Sequence, residues 1–279
     1  MIQAKSAGSW SAVLLTQIMP LQLTILLLVV VCPAHATLPW NAASVSNIFT
    51  GGERLHYSIT WNRGVKIGDL YIQVIKEPDK TYHTIQAAVK DYGVFRLFYP
   101  VNDTFITQVS GKDKLPLSYS VHQREGRGKE TFREYRYDQK NFKITYKKND
   151  QPEEEFHVSG PVYNEFASFF ITRVLDFAGP PPYTIPTFAD KKRHEVEVKV
   201  VQRKKIDTIY GKVPAMQVTP LLPFKGLYEK QGDTVIWLTE DNCRVPVLIK
   251  SKIAVGALRA DLLEYSNPAC PQYSFVQTE

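Results

Sequence analysis

Alternation with a period of two constrains this chain more than any motif. In Glu53-Arg-Leu-His-Tyr-Ser-Ile-Thr-Trp61, Leu55, Tyr57, Ile59 and Trp61 fall on one side and Arg54, His56, Ser58 and Thr60 on the other. Successive side chains of a strand point to opposite faces, so this pattern describes an antiparallel strand with one buried face and one wet face. The pattern returns after each turn signal. Asn62-Arg-Gly64 leads to a second strand at 67–76, and Pro78-Asp-Lys80 to a third at 82–90. Further strands are expected at 103–110, 116–125, 129–138 and 142–148, separated by Gly111-Lys-Asp113, Gly126-Arg-Gly128 and Gln139-Lys-Asn141. Between Asp91 and Pro100, Val94, Phe95, Leu97, Phe98 and Tyr99 cluster without alternating, which reads as a short helical turn or a packed loop.

The period changes once. Phe166, Phe169, Phe170, Val174 and Phe177 recur at steps of three and four, the spacing of one helix face. Asn164 is placed to cap this helix, and Gly179 with Pro180-Pro-Pro182 to stop it, giving a helix over 164–177. Residues 180–190 read as an irregular crossover. Strand patterns then resume at 194–203, 207–220, 234–239, 246–254 and 257–265. The expected fold is mainly β: an antiparallel, strongly curved or incompletely closed β-barrel with one helix packed on it, built as two halves of one sheet.

The N-terminus sets the compartment. Lys5 precedes the apolar run Leu21–Cys32, and Ala34-His-Ala36 follows it. A basic start, a short apolar run and an A-x-A end describe a secretory signal peptide. The run is well short of the ~20 residues that span a bilayer. An uncleaved anchor is the alternative. A lipoprotein site at Cys32 fits less well, because Val31 rather than a small residue precedes it. The expected organisation is a signal peptide at 1–36, a short polar lead at 37–50, a single β-rich domain at 51–266 and a C-terminal tail at 267–279. Cleavage near Ala36 would leave a protein of the periplasm or cell envelope.

Composition narrows the partners. The chain carries 34 basic and 28 acidic residues, and loss of Lys5 leaves 33 against 28, a net +5. That mild excess suits anionic envelope surfaces, so peripheral membrane association is open to it, and lipid or envelope polysaccharide are the partners in view. No basic helix or base-stacking motif points to nucleic acid. Cys243 and Cys270 remain after cleavage in an oxidising compartment. Paired, they close a loop worth about 3–4 kcal/mol by chain entropy. Two unpaired buried thiols are the alternative.

Three segments carry a family likeness. Ile236-Trp-Leu-Thr-Glu-Asp241, Arg244-Val-Pro246 and Lys252-Ile-Ala-Val-Gly256-Ala-Leu-Arg-Ala-Asp-Leu262 lie near the C-terminus. Gly52-Glu53-Arg-Leu-His-Tyr57, Trp61 and Gly68 lie near the start, and Asn164-Glu-Phe-Ala-Ser168-Phe-Phe-Ile-Thr-Arg173 lies between. In order and spacing they resemble a bacterial exported family filed as domain of unknown function 3108, over roughly residues 47–266. The resemblance implies a periplasmic β-rich domain and no particular activity. Where that family leads one to expect an aspartate, this chain has Asn164, so no role is assigned to a carboxylate there.

Candidate chemistry is sparse. His56, His83, His122, His157 and His194 show no metal-ligand spacing and read as solvated surface residues. No G-x-S-x-G elbow is present, and Ser168 reads as a small residue that lets the helix approach the sheet. Asp241 and Asn242 read as a turn. Glu240 is the carboxylate an envelope-glycan enzyme or accessory domain would use, with Tyr and Trp stacking on sugars. Arg173, a long cation on an apolar helix, reads as a structural ion pair with a carboxylate such as Glu53. The basic clusters Lys191, Lys192, Arg193 and Arg203, Lys204, Lys205 flank one strand and form a candidate surface patch. The function expected is non-enzymatic, with no cofactor and no metal: Tyr57, Trp61, Phe166, Phe169, Phe170 and Trp237 line or plug a hollow that takes an apolar or amphiphilic, lipid-like ligand. A structural partner docking in an envelope complex through a sheet edge is a further alternative.

Overall fold

The computed structural model describes residues 38–62, 64–93, 95–98, 100–126, 128–224, 234–253 and 256–275; the expected signal peptide lies outside them, as do Val94, Tyr99 and Val255. All of them fall within the unit Ala36–Glu279.

The alternating segments become the strands of one sheet. Its first half holds β1 (Glu53–Trp61), β2 (Val65–Ile75), β3 (Tyr82–Asp91), β4 (Asn102–Ser110), β5 (Leu115–Glu125), β6 (Lys129–Asp138), β7 (Lys143–Lys148) and β8 (Glu154–His157). Its second half holds β9 (Tyr163–Asn164), β10 (Tyr183–Ala189), β11 (Lys192–Thr208), β12 (Gly211–Leu221), β13 (Thr234–Thr239), β14 (Pro246–Lys252) and β15 (Ala257–Ser266). Short turns oblige sequence neighbours to pair antiparallel, so each half is a meander. The halves join where β1 pairs with β15, which puts the first and last strands at the centre and β8 and β9 at the edges. β9 alone of these is too short to alternate, and it runs parallel to β10.

Three helices are described: α1 (Ala42–Ile48), α2 (Phe95–Phe98) and α3 (Glu165–Val174). The last explains the curvature. The α3 residue Phe166 meets Phe105 of β4, Ser168 Oγ lies 2.7 Å from Thr187 Oγ1 of β10, and Arg173 reaches Glu53 of β1. β4 and β10 stand nine places apart in the strand order, about 43 Å if the sheet were flat, whereas a helix is about 10 Å across. The sheet therefore curls around α3, and Ser168 has the close-approach role expected of it. No hydrogen-bonded ladder closes the curl among the described residues. Side chains meet across the gap instead: Phe156 packs on Phe188 with ring centroids 5.6 Å apart, and Gln139 Nε2 donates to the Val162 carbonyl at 2.9 Å. The protein is thus mainly β, one large sheet that is not closed.

Four local expectations need correction. The lead at 37–50 is not structureless: Asn41 Oδ1 accepts from Ser44 N at 2.9 Å and opens α1, which buries Ile48 and Phe49. Val45, Ile48 and Phe49 have helical spacing, but one short helix among polar residues gives too few steps to read. α3 ends at Val174 rather than 177, because this lead competes for its last turn. Asn41 N donates to the Val174 carbonyl at 2.8 Å, and Leu175 bridges to Trp40. The crossover at 180–190 contains β10, disguised by Pro186 and stabilised by a distant partner, β11. No strand is expected between 148 and the helix, yet Glu154–His157 forms the edge strand β8, paired with β7. By contrast, Asn164 caps α3 as expected, its Oδ1 accepting from Ala167 N at 2.7 Å, and α2 supplies the short helical turn near Leu97.

One buried pair seats the helix. Arg173 and Glu53 are fully buried, and the guanidinium donates twice to the carboxylate, Nη1 to Oε2 at 2.8 Å and Nη2 to Oε1 at 2.7 Å. Arg173 Nε donates to the Arg244 carbonyl at 3.1 Å, and Tyr265 donates to Glu53 Oε1 at 3.0 Å. Burial opposes the Arg173 charge, but the facing carboxylate outweighs it and holds the guanidinium more firmly protonated than usual. The expected structural ion pair is thus present. Glu53→Gln would leave the guanidinium half-matched in a dry core, and urea unfolding should show a loss of about 3–5 kcal/mol. Cys243 and Cys270 form the expected disulfide, with Cα atoms 6.0 Å apart, tying the tail beneath the β13–β14 turn. That turn is organised by Asp241, whose Oδ1 accepts from Cys243 N at 3.0 Å. Replacing both cysteines with serine should lower stability by about 3–4 kcal/mol in the same assay.

Candidate functional site

The inner face of the sheet changes character from one end to the other. Along β1, Leu55 and Tyr57 are buried, while Ile59 and Trp61 are half-exposed. On β2, Val74 and Ile72 are buried and Leu70 is half-exposed; on β3, Ile85 and Ala87 are buried and Val89 is half-exposed. β15 repeats the step from Leu262 to Leu258. Antiparallel pairing places all four half-exposed ends at the same end of the hollow. The closed end is the one sealed by Glu53 and Arg173.

α3 lies against the buried rows, Asn164 at its start bonding Thr107 and Arg173 near its end bonding Glu53. Phe166, on its first turn, touches Phe105, which pairs with Ala87 one inner step from Val89. Phe166 and Phe169 are half-exposed, whereas Phe170 is fully buried against Phe49, Phe166 and Phe169, with centroids 6.5, 5.7 and 5.4 Å away. Tyr57 is fully buried and donates to the Pro246 carbonyl at 2.7 Å, and burial pushes its phenol well above the usual range. Tyr57 and Phe170 lie in the packed interior, Phe166 and Phe169 pack on Phe170, and Trp61 lies three inner steps along β1 from Leu55, whose row holds Phe105. Trp237 lies apart from them. It is buried in the row of Gln217 and Leu248, on the side of β13 opposite Ile236, with Lys204 Nζ 5.2 Å from its ring centroid.

A layer of tyrosines on the first half of the inner face escaped sequence reading. Tyr119, Tyr135 and Tyr146 face one another across β5, β6 and β7, with centroids 5.6 and 4.8 Å apart, and Tyr137 stacks beside them. Burial raises the phenol pKa of each above the ordinary value, so all four stay neutral. The signal was available: Tyr135 and Tyr137 alternate with Glu134 and Arg136, and Tyr119 and Tyr146 fall at matching strand positions.

The basic clusters do not merge. They occupy opposite ends of β11, and from Lys192 to Arg203 the strand covers about 36 Å. Lys191 pairs with Glu154 at 2.7 Å, Arg193 with Glu195 at 2.7 Å, and Arg203 with Glu240 at 2.7 Å, while Lys192 and Lys205 are exposed. Among the described residues no cluster of three or more His, Cys, Asp or Glu is arranged to hold a metal ion. No helix among them is long and apolar enough to cross a membrane.

The histidines depart from expectation at one position. His83 faces inward on β3 and is buried edge-on against Phe49, ring centroids 5.6 Å apart. The strand's own alternation puts it inside, and the polar residue type concealed that. Burial, and then the nearby Lys114 ammonium, lower its pKa below the ordinary imidazole value.

Together these features define a class: an open, strongly curved sheet wrapped around one helix. A solved structure with this form is a beta-barrel-like protein of domain of unknown function DUF1849 from Brucella abortus. It aligns with a TM-score of 0.55 and 11% identity, over 77% of this chain and 97% of its own, a likeness of fold alone. The hypothetical protein CT021 from Chlamydia trachomatis aligns at a TM-score of 0.32 and 6% identity, over 81% and 93% of the two chains, and carries no argument. No curated protein sequence matches. The sequence matches the profile of the DUF3108 family, proteins of unknown function, over residues 56–263, and the chain belongs to that family. Asn164, the departure noted above, has a use for its amide: Nδ2 donates to Thr107 Oγ1 at 2.8 Å while Oδ1 caps α3, a pair of roles a carboxylate cannot fill.

Because the folded state favours neutral His83, its contribution to stability is intact above about pH 6.5 and is lost as pH falls through the lowered folded value. Urea midpoints measured across that limb should fall for the native protein, and His83→Gln should flatten the fall.

Proposed function

We propose that this chain is an exported, non-enzymatic protein of the bacterial envelope that binds an apolar or amphiphilic ligand at the open end of its hollow. The signal-peptide pattern at 1–36 supports export. The observation that carries the binding reading is the shared loss of burial along four inner strand ends, where Ile59, Leu70, Val89 and Leu258 keep their inward direction but are only partly buried. A packed core would bury such residues completely, and a wet face would not be lined with them. Trp61, one inner step beyond Ile59 on β1, adds aromatic surface at the same end. Mild positive charge favours approach to an anionic membrane surface as the source of the ligand.

The alternatives have less support. Glu240, the carboxylate for glycan hydrolysis, is engaged by Arg203. The sheet edges are Glu154–His157 and Tyr163–Asn164, too short to offer much backbone to a docking strand.

Native mass spectrometry of the protein released from the envelope should show a co-purifying lipid. Ile59→Glu and Trp61→Glu should each weaken oleate binding by ten-fold or more at unchanged circular dichroism. A protein that carries no lipid and does not bind oleate contradicts the reading.

A further inference from the structure

The outer face of the same sheet carries a second site. One cross-strand row runs in unbroken register through His56, Tyr71, Ala88, Thr104, His122 and Phe132, from β1 to β6. Both ends of the row repeat one arrangement. His56 stacks on Tyr71 with centroids 4.4 Å apart and planes 12° apart, and its Nε2 lies 3.0 Å from Asp69 Oδ1. His122 meets Phe132 edge to face at 6.2 Å, and its Nε2 lies 2.6 Å from Glu130 Oε1. Each histidine is thus held by a carboxylate and packs on its neighbouring ring. Tyr71 and Phe132 are 41% and 43% exposed, unusual for large rings in the middle of a sheet.

Between the two ring pairs the row is small. Ala88 and Thr104 floor a slot two strands wide, and Tyr71 and His122 stand about 14 Å apart across it, three strand spacings. The Tyr71 ring lies on His56 on one side and has the Lys90 ammonium 5.9 Å from its centroid, and it remains 41% exposed at the margin of this slot. The surface is hollowed at both ends: a groove of 390 Å³ takes in His56, Tyr71, Gln86 and Ala88, and another of 630 Å³ takes in His122 and Phe132. The next row adds hydrogen-bonding groups in register, with Arg54, Gln73 and Gln86 above β1, β2 and β3 and Glu134 above β6.

The geometry points to a binding site for a linear, uncharged polysaccharide lying across the strands. Exposed rings offer flat apolar faces for sugar rings. Amides, a guanidinium and carboxylates supply both donors and acceptors, which suits hydroxyl groups that do both. Glu264, Asp69, Glu130 and Glu134 interleave with Arg54, Lys90, Arg124 and Lys147, a balance that favours neither a polyanion nor a polycation. The repeated ring pairs, about 19 Å apart from Tyr71 to Phe132, fit a chain of repeating units better than one small molecule. This site does not depend on the hollow, which lies on the opposite face.

The test is calorimetric titration of the whole mature protein with chitotetraose, cellotetraose and maltotetraose, and with the matching disaccharides. At least one tetrasaccharide should bind, ten-fold or more tighter than its disaccharide. Tyr71→Ala and Phe132→Ala should each weaken it at least ten-fold, and Thr104→Arg, which fills the slot floor, should abolish it. Circular dichroism and oleate binding should stay unchanged in all three. The proposal is overturned if no tetrasaccharide binds, if disaccharides bind as tightly, or if binding ignores all three substitutions. It is also overturned if a glycine- and alanine-rich tetrapeptide competes for the same residues.

Discussion

The ion pair between Arg173 and Glu53 is the interaction on which the architecture turns. Both charges are withdrawn from water, which is expensive, and the structure offsets that cost by matching nearly every polar atom. Two parallel bonds join guanidinium to carboxylate, Tyr265 completes Glu53, and the Arg244 carbonyl completes Arg173. A planar fork meets a carboxylate in this way only over a narrow range of positions. The pair therefore sets the depth and rotation of α3 in the hollow, where apolar contacts alone would tolerate sliding. It also links four parts of the chain: the first strand, the last strand, the helix and the turn after β13.

The curled sheet follows from that seating. α3 sits between the two meanders in sequence, and strands from both must reach it. A flat sheet cannot place β4 and β10 on one helix, so the halves bend toward each other and meet through side chains such as Phe156 and Phe188. The disulfide then fixes the tail close to the same turn that offers its carbonyl to Arg173. These constraints gather at one end of the hollow. The other end has no equivalent seal among the described residues, and its inward-facing apolar residues are half-exposed.

The two faces of the sheet thus offer different chemistry. Inside, packing grades from a dry, charge-locked floor to a partly accessible apolar rim. Outside, small residues separate two ring pairs, each stiffened by a histidine and a carboxylate. An antiparallel sheet with one wet face can support both, because alternate residues of the same strands serve opposite surfaces. Leu70 and Tyr71 are adjacent in sequence and serve opposite faces.

Much of this was legible in the residues themselves. Period two in Glu53–Trp61 and its successors specified strands, because a pleated backbone alternates its side chains whatever the fold around it. Phe166, Phe169 and Phe170 specified a helix for the corresponding reason, and Asn164 its cap. Arg173 on an apolar helix required an anion, and an even pair of cysteines suggested a bond. Local chemistry could not reveal elements stabilised by distant partners: α1, which is held by the end of α3, and β10, which is paired with β11 despite Pro186. Nor could it assign faces. Residue type makes His83 read as a surface residue and Trp237 as a lining one, since periodicity separates two sides without saying which is inner. Pairing across the sheet decided that, and register from β2 to β6 alone brought Tyr71 and Phe132 into one row. The sequence determined which elements form; the long-range pairing and the seating of α3 decided which side each residue serves.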